Sequence, residues 1–342
     1  MAGQDTSPPD STGDDALLDD EPGALTDDAA VELRVVRVGA EHHAQRIDRA
    51  LAELVPEFSR SYLQQLLAQG LVAVNGKPLL RPAGRVKAGD EVALEMRPTL
   101  QSQAFRPEVM TIDVVYEDDH LLVVNKPPGM VVHPAPGNWS GTLLNGLLAR
   151  DSKALTVPRA GIVHRLDKDT SGLMVVARDR ATMDALVALI AARNVRRQYM
   201  ALAHGPWTGA RSRTVEAPIG RDPRNRLRMA VVDLAMHPGK PARTDVLFVD
   251  GNERGSWVQC TLHTGRTHQI RVHMASLRHP LVGDSLYGGG HVEQLQRQAL
   301  HAYRLAFVHP ATGQPLEFHA PVPDDMRRAL AAWGLSYNAP MA

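Results

Sequence analysis

The stretch after residue 108 is built from short apolar segments, and this pattern limits the possible folds more than any other feature of the chain. The segments are four to six residues long and are bounded by polar or glycine-containing turns, which is typical of strands. Strands are predicted at Ile112–Tyr116, Leu121–Asn125, Leu173–Ala177, Tyr199–Ala203, Val246–Val249 and Trp257–Leu262. Because they do not alternate regularly with helices, the pattern predicts an α+β fold with a mixed or antiparallel sheet rather than a doubly wound one.

Two helices are predicted in the same region. One covers Ala181–Arg193 and the other covers Asp324–Trp333. Apolar residues that recur at helical spacing indicate which side of the first helix faces the core. This inner face is predicted to consist of Met183, Leu186, Val187 and Ile190.

Residues 45–97 have the pattern of a small, separate α/β module. Two short helices are predicted, the second with Ser59 as its N-cap and Gly70 in a left-handed conformation after its last turn. The pair Asn75-Gly76 is a strong signal for a hairpin between two strands. The apolar residues that define the pattern are Ile47, Ala50, Leu51, Leu54, Tyr62, Leu63, Leu66, Leu67, Val72, Val74, Val92, Leu94 and Met96.

The composition of residues 1–30 differs from that of the rest of the chain. This segment has nine acidic residues, no lysine or arginine and few large apolar residues, so we predict a disordered tail. The tail either mimics RNA on a basic surface or only keeps the protein soluble, and the sequence leaves both roles open. Proline at both ends of residues 98–107 predicts a linker between the module at 45–97 and a second domain at 108–335.

Charge and cysteine content narrow the classes of partner and compartment. The formal net charge is zero, but without residues 1–30 the chain has 38 basic and 29 acidic residues, a charge of +9. A basic body favours an anionic partner such as nucleic acid. The single cysteine, Cys260, excludes an intramolecular disulfide and a cysteine-based zinc site, and it is compatible with a reducing cytosol. No apolar run approaches roughly 18 residues and the N-terminus lacks a signal pattern, so we expect a cytoplasmic protein with no membrane contact.

The module at 45–97 is rich in basic side chains. They form either a solvated face or a surface for RNA phosphates, and composition does not decide between the two. The residues are Arg46, Arg49, Arg60, Lys77, Arg81, Arg85 and Lys87.

The segment Gly161–Gly172 groups charged side chains immediately before a predicted strand. Two acidic and three basic side chains stand within residues 164–169. An EF-hand calcium loop is disfavoured because its twelfth position is Arg178 and a strand follows where a helix should begin. A hydrolytic pair of Asp167 and Asp169 is disfavoured because such carboxylates flank the bond from different elements. The remaining interpretation is that Asp167 alone performs covalent or general-base chemistry.

Three histidines, His263, His268 and His273, raise the question of a zinc site. Their spacing does not bring two imidazoles onto one helical face, and no thiol is near. We therefore expect histidines with structural or RNA-facing roles, and no metal.

Several blocks of the sequence resemble known RNA-modifying enzymes. The stretches QRIDRALAELVP, SRSYLQQLLAQGLVAVNGK and VKAGDEV resemble the S4 RNA-binding domain, which implies RNA binding rather than catalysis. The run VPRAGIVHRLDKDTSGLMVVA resembles the signature of the RluA-type pseudouridine synthases, and so in the same order do the blocks at 125–134, 196–205, 264–289 and 305–321. The resemblance covers residues 45–330 and implies the pseudouridine synthase fold for the second domain.

The resemblance also implies a reaction and its residues. Such enzymes break the N1–C1′ bond of a uridine, turn the base and rejoin it through C5, so neither a redox cofactor nor a metal is required. The uridine must first leave the RNA stack. Asp167 is the implied catalytic carboxylate, which either attacks C1′ or removes the 2′ hydrogen, and Arg271 is implied to pair with it. Arg165 is implied to take the place of the extruded base. Tyr199 is implied to stack on the target ring, with a hydroxyl that could assist deprotonation at C5.

The segment RDPRNRLR holds four arginines in eight residues. A solvated loop is one explanation, but beside a catalytic cleft we favour contact with the RNA backbone. The arginines are Arg221, Arg224, Arg226 and Arg228.

Two blocks bear on the substrate. The run VPRAGIVHRLDKDTSGLMVVA and the stretch AMHPGKPA at 235–242 resemble the family members that modify the large ribosomal subunit, so the expected substrate is 23S rRNA at the helix 69 stem-loop. The alternatives are the same chemistry on other rRNA or tRNA uridines, or a non-catalytic RNA-binding protein of ribosome assembly. We expect a monomer, and we assign no role to residues 290–298.

Overall fold

The computed structural model describes residues 32–56, 58, 60–96, 104–135, 137–292 and 295–336. The tail predicted at 1–30 lies outside these residues, as do Ser59 and residues 98–103 of the predicted linker. The described residues form two compact units. The first comprises the residues up to Ala104 together with Ala135–Trp139, and the second comprises Phe105–Pro134 and the residues from Ser140 onward.

The first unit consists of a small antiparallel sheet and two helices. Its helices are α1 (Ile47–Leu54) and α2 (Arg60–Ala68), and its strands are β1 (Glu32–Arg37), β2 (Val72–Val74), β3 (Lys77–Pro78) and β4 (Glu91–Met96). The strand order is β1-β4-β2-β3. The predicted helical and strand patterns are confirmed, because the apolar residues at those positions form one buried core: Ile47, Leu51, Leu63, Leu66, Leu67, Val72, Val92 and Leu94.

The turns of the first unit have the backbone conformations that the sequence predicts. Gly70 follows α2 with a φ of +74°, as a left-handed helix end requires. Asn75 and Gly76 have φ values of +50° and +76°, which suits the tight turn between β2 and β3. Strand β1 was not predicted, because its Leu33 and Val35 are exposed and give no inward-facing pattern.

The second unit is built around a large sheet. Its strands are β5 (Val114–Glu117), β6 (Leu121–Lys126), β7 (Ser171–Ala177), β8 (Arg196–His204), β9 (Ser212–Glu216), β12 (Arg243–Gly251), β13 (Gly255–Leu262), β14 (Leu300–Val308) and β15 (Pro315–His319), and a separate hairpin contains β10 (Ile219–Asp222) and β11 (Asn225–Val231). The nine-stranded sheet has the order β5-β6-β7-β14-β8-β13-β12-β9, with β15 paired to β14. Strands β7 and β14 are parallel and their neighbours pair antiparallel, so the predicted mixed sheet is confirmed.

Helices cover both faces of this sheet. They are α3 (Leu143–Arg150), α4 (Arg180–Ala191), α5 (Gln269–Ser276) and α6 (Asp324–Ala332). On one face, Tyr199 of β8 shares a buried cluster with residues of α3 and α5. On the opposite face, Met200 shares a cluster with α6. None of the helices in the described part of the chain is both long enough and apolar enough to cross a membrane.

Helix α4 confirms the helix predicted at Ala181–Arg193, but one residue of its predicted inner face is wrong. Val187 is 46% exposed, whereas Leu186 is fully buried and Leu189 packs against the same core. Successive residues of a helix are turned by about 100°, so a buried stripe centred on Leu186 leaves Val187 at its edge.

Candidate active site

The segment that carries Asp167 is held tightly against the sheet by two glycines. Gly161 has a φ of +78°, and a Cβ atom there would lie 1.8 Å from the carbonyl oxygen of Ala177. Gly172 has a φ of +117°, and a Cβ atom there would lie 2.3 Å from the carbonyl oxygen of Ala302. Only glycine combines these backbone angles with such close approach, so both ends of the segment are fixed on the sheet.

The carboxylate of Asp167 meets the guanidinium of Arg271, which lies 104 residues later on α5. Nη1 of Arg271 donates to Oδ2 of Asp167 at 3.1 Å. The same guanidinium donates from Nε and Nη2 to the two oxygens of Asp284 at 2.7 and 2.9 Å. A bidentate pair fixes the plane of a guanidinium, so Asp284 directs the remaining nitrogen toward Asp167.

Burial and charge act in opposite directions on Arg271. Burial lowers its pKa, but the hydrogen bonds and charges of Asp284 and Asp167 raise the pKa well above its usual value. Arg271 therefore stays protonated and provides a permanent positive charge beside Asp167. The side chain of Asp167 is 17% exposed, so this carboxylate is largely shielded and still reachable from solvent.

A tyrosine and a histidine complete this side of the site. The guanidinium of Arg271 lies 5.0 Å from the ring centroid of Tyr287. The hydroxyl of Tyr287 is 2.8 Å from Nδ1 of His268, whose Nε2 lies 4.0 Å from Oδ1 of Asp167. Burial lowers the pKa of His268, with Asp167 opposing that effect, so the neutral imidazole is favoured near neutral pH.

Tyr199 lies on β8, in the middle of the sheet and close to the end of the segment that carries Asp167. It pairs in register with Ala302 of β14, and Ala302 pairs with Gly172 at the end of the Asp167 segment. The side chain is only 4% exposed. Burial raises the pKa of Tyr199 to about 12, with Arg197 lowering it and Asp167 raising it. The phenol is therefore protonated at neutral pH, which favours stacking or hydrogen bonding over the role of a base.

A buried lysine holds the backbone just after Asp167. Nζ of Lys126 donates to the carbonyl oxygens of Pro127, Met130 and Lys168 at 2.8, 2.9 and 2.9 Å. Burial lowers the pKa of Lys126 to about 7, while the charges of Asp169 and Asp167 raise it in part. Three acceptors match the three donors of an ammonium group, so this contact ties the end of β6 to the segment of Asp167.

Comparison with known proteins identifies the family. The family model described as RNA pseudouridylate synthase matches residues 120–276, and the model of the S4 domain matches residues 45–92. The chain is 49% identical over 299 residues to ribosomal large subunit pseudouridine synthase D of Neisseria meningitidis serogroup A, covering 84% of this chain and 78% of that one. It is 46% identical to the protein of the same name from Xylella fastidiosa, covering 90% and 95% of the two chains. The chain belongs to the RNA pseudouridylate synthase family. It is an RNA pseudouridine synthase with an S4 domain.

A solved structure agrees with this assignment. Human RNA pseudouridylate synthase domain containing 1 is 28% identical, with a TM-score of 0.52 over 66% of this chain and 89% of that one. The pseudouridine synthase fold expected for the second domain is thereby supported at the level of its architecture as well as its sequence.

In the synthase, Arg165 lies two residues before Asp167 on the same segment, and its side chain is exposed. Burial lowers the pKa of nearby His133 to about 4, and the charges of Arg165 and Arg159 add to this effect. The charge of Arg165 also adds to the effect of burial in lowering the pKa of His268, so the exposed guanidinium lies near His268 as well as near Asp167 in the chain.

The four arginines singled out from the sequence belong to the β10–β11 hairpin of the synthase. The backbone N–H of Met229 in β11 donates to the hydroxyl of Tyr287 at 3.0 Å, which anchors the hairpin beside Arg271. Nε of Arg228 donates to Asp222 at 2.6 Å. Arg221 and Arg224 are exposed, and the side chain of Arg226 lies outside the described ones.

The basic side chains of the first unit that the structure describes lie on its surface. Lys77, Arg81 and Arg49 are exposed. Arg46 is also exposed, but its Nε and Nη2 donate to the buried carboxylate of Asp48 at 3.0 and 3.2 Å. Arg85 and Lys87 are exposed as well, and the side chain of Arg60 is not among the described ones.

The three histidines that raised the question of a zinc site each form hydrogen bonds with different partners. His263 is hydrogen-bonded to Asp245 at 2.6 Å, and His268 to Tyr287 at 2.8 Å. His273 lies between the hydroxyl of Thr244 and the carbonyl oxygen of Ala217. Within the described ranges no three His, Cys, Asp or Glu side chains are arranged to hold a metal ion.

Three residues of this site are not singled out by the sequence: Lys126, Asp284 and Tyr287. The position of Lys126 directly after a predicted strand gives no sign of its burial, because lysine side chains are rarely buried unless they are paired. No local signal marks Asp284, whose function depends on Arg271 from another element.

Proposed function

We propose that this synthase converts uridines of the helix 69 stem-loop in 23S rRNA to pseudouridine, with Asp167 as the catalytic carboxylate. The substrate is supported by the relatives named ribosomal large subunit pseudouridine synthase D, with which the identity extends over most of the chain. The residue assignment is supported mainly by one observation: a shielded carboxylate, Asp167, is paired with Arg271, which is itself oriented by Asp284.

The reaction requires a charged carboxylate at the ribose of an extruded nucleotide. Extrusion costs a few kcal/mol of stacking, and an arginine such as Arg165 offsets part of it by occupying the vacated position. Asp167 then either attacks C1′ or removes the 2′ hydrogen, and the N1–C1′ bond breaks. The base turns and bonds to C1′ through C5, which breaks the Asp167–C1′ bond on the first route or is accompanied by return of the proton to C2′ on the second. The hydrogen on C5 leaves as a proton, and N1 gains one. Tyr199 is proposed to stack on the ring during this turn.

The basic surfaces of both units are proposed to hold the rRNA. The S4 domain, for which we propose the bounds 45–97, would contact phosphates through Arg46, Arg49, Arg60, Lys77 and Arg81. In the catalytic domain, for which we propose the bounds 108–335, the β10–β11 hairpin would contact the RNA backbone beside the target through Arg221, Arg224, Arg226 and Arg228. We further propose that the protein acts as a monomer in the cytoplasm, where its substrate is made and assembled.

The test is a complementation experiment with pseudouridine mapping. Cells that lack the protein receive the wild-type gene, the Asp167→Asn variant or, as a control, Asp184→Asn, which changes a surface carboxylate paired with Arg180. We expect the helix 69 signals to be absent without the protein, to return with the wild type and the control, and to stay absent with Asp167→Asn. Purified Asp167→Asn should still bind the rRNA.

Each part of the proposal has its own contradicting outcome. Helix 69 signals that persist without the protein would show that its substrate lies elsewhere, in other rRNA or in tRNA. If no pseudouridine in any RNA depends on the protein, it acts by binding rather than catalysis. Full activity of Asp167→Asn would show that another group is the catalytic carboxylate.

A further inference from the structure

The segment at 295–301, part of which was given no role from the sequence, contacts the backbone that follows Asp167. Nη1 of Arg297 donates to the carbonyl oxygen of Asp169 at 3.0 Å. The side-chain amide of Gln298 donates to the hydroxyl of Thr170 at 3.1 Å, and Nδ1 of His301 lies 2.9 Å from the hydroxyl of Ser171. Three consecutive residues after Asp167, residues 169–171, are thus each hydrogen-bonded to the segment at 295–301.

Arg297 is the centre of these contacts. Its side chain is 9% exposed and is paired with Asp325 of α6, with Nε and Nη2 donating to the two carboxylate oxygens at 2.7 and 3.0 Å. This bidentate geometry leaves Nη1 closest to the carbonyl oxygen of Asp169, with longer contacts of 3.3 Å to the carbonyl oxygens of Gln298 and Leu300 in its own segment. In the same way Asp284 leaves a nitrogen of Arg271 directed at Asp167.

Together with Lys126, Arg297 completes the hydrogen bonding of the backbone around the carboxylate. The carbonyl oxygen of Asp167 accepts from the N–H of Thr170 at 3.1 Å, and that of Lys168 accepts from Lys126 at 2.9 Å. The next carbonyl oxygen, that of Asp169, accepts from Arg297. Each of the three carbonyl groups therefore has a donor, and two of the donors are the buried side chains of Lys126 and Arg297.

The same segment also touches the residues that hold Arg271. A Cβ atom on Gly283 would lie 2.1 Å from the carbonyl oxygen of Arg297, and the N–H of Ala299 donates to Val282 at 2.8 Å. Gly283 immediately precedes Asp284, the partner of Arg271. The position of residue 297 therefore bears on both members of the Asp167–Arg271 pair.

We propose that Arg297, oriented by Asp325, is a positioning residue that sets the distance between Asp167 and the ribose of the extruded uridine. The inference rests on the proposed role of Asp167. Arg297 does not touch the reacting atoms, so its loss should slow the chemical step and leave RNA binding largely unchanged. A misplacement of about 1 Å lowers the rate of a positioned reaction on the order of 100-fold.

The experiment compares two arginines that make the same kind of ion pair. Arg297→Gln removes the contact to Asp169, and Arg304→Gln removes a bidentate pair with Glu317 that is made at 2.9 and 2.8 Å by a side chain that is 12% exposed. Arg304 lies on β14 and makes none of the contacts to residues 167–171 described above. Single-turnover rates and KM are measured with an rRNA fragment that contains helix 69, below the unfolding temperature of each variant.

We expect Arg297→Gln to lower kcat about 10-fold to 100-fold with KM changed less than about threefold, and Arg304→Gln to change neither by more than about threefold. Arg297→Lys should recover part of kcat, because one donor can still reach Asp169. Asp325→Asn should lower kcat less than Arg297→Gln does, and the double variant should be no slower than Arg297→Gln alone.

The controls separate this inference from the proposed function. If Asp167→Asn is inactive but Arg297→Gln behaves like Arg304→Gln, the positioning role is wrong while the catalytic role of Asp167 stands. If Asp167→Asn is active, the proposed function fails first. A change confined to KM, or additive effects of Arg297→Gln and Asp325→Asn, would also overturn the inference. Should Arg297→Gln fail to fold, Arg297→Lys and Asp325→Asn decide by the same kcat criterion.

Discussion

At the scale of single residues, this site depends on how one guanidinium is divided between two carboxylates. Asp284 takes two nitrogens of Arg271 and Asp167 takes the third. Asp284 is 2% exposed and therefore holds Arg271 away from water. Asp167, the proposed catalytic carboxylate, is the more exposed of the two, so orientation of the guanidinium and the proposed chemistry belong to different residues.

This division predicts the effect of Asp284→Asn. The amide can accept from one nitrogen of Arg271 but cannot pair with both, so the guanidinium should turn and its contact with Asp167 should weaken. We expect kcat to fall on the order of 10-fold and stability to fall by about 3 kcal/mol, since a buried ion pair loses one partner. Rapid-quench assays and urea unfolding measure the two effects.

The matched control for Asp284→Asn is Asp222→Asn. Asp222 is also buried and also holds an arginine, Arg228, but on the β10–β11 hairpin. Its loss should raise KM and leave kcat nearly unchanged. If the two variants have the same effect on kcat, Asp284 has no particular role in orienting Arg271.

At the scale of elements, the meeting of β7 and β14 fixes the end of the Asp167 segment. Gly172 combines a φ of +117° with a backbone oxygen 2.3 Å from where a Cβ atom would stand. We expect Gly172→Ala to destabilise the fold by more than about 3 kcal/mol, because β14 must move as well as the strained residue. Gly313→Ala is the control, since Gly313 has a φ of +73° with open space around it.

The two glycine variants separate backbone strain from steric contact. Gly313→Ala should cost about 1 kcal/mol, the usual penalty for an alanine in the left-handed region. Urea unfolding of both variants gives the comparison. Equal losses of stability would mean that the strands can separate easily at Gly172, and the Asp167 segment would then be less firmly fixed than the geometry indicates.

Elements whose burial follows a regular period were predictable from the sequence, and those without one were not. The six predicted strands and the helix α4 all exist, because their apolar residues face the core. Helix α5 was missed because Gln269, Arg271 and His273 are buried along with its apolar residues, which removes the amphipathic period. A helix that carries buried polar site residues therefore lacks the alternation of apolar and polar faces by which helices are usually predicted.

At the scale of the whole molecule, the site is assembled from distant parts of the chain. Asp167, Tyr199 and Arg271 come together because β7, β14 and β8 are neighbours in the sheet and α5 packs on the same face. No spacing in the sequence encodes this arrangement. The charged segment before a strand singles out Asp167, but Tyr199 and Arg271 could be named only through the resemblance to a family. The neighbours that orient them, such as Asp284 and Arg297, became visible only with the fold.

Because several histidines of the second unit are buried, we expect the folded state to lose stability at pH values well above those at which carboxylates titrate. Burial lowers the pKa of His164 to about 3 and the pKa values of His133 and His301 to about 4. In the unfolded chain these groups titrate near 6.5. Between about pH 4 and pH 6.5 the unfolded state therefore binds more protons than the folded state, and stability must fall as the pH is lowered.

Urea unfolding at pH values from 4.5 to 7 tests this sign and its origin. The free energy of unfolding should decrease toward low pH, and each of the three histidines contributes up to one proton to the slope. His268 and His273, whose pKa values burial also lowers, add to it with the same sign. His301 is bonded to Ser171, and His301→Gln should reduce the slope by about one proton even though it also weakens the fold. His237→Gln removes an exposed imidazole and serves as the control. A stability that does not change over this range, or a slope that His301→Gln leaves intact, would mean that these histidines become protonated without unfolding.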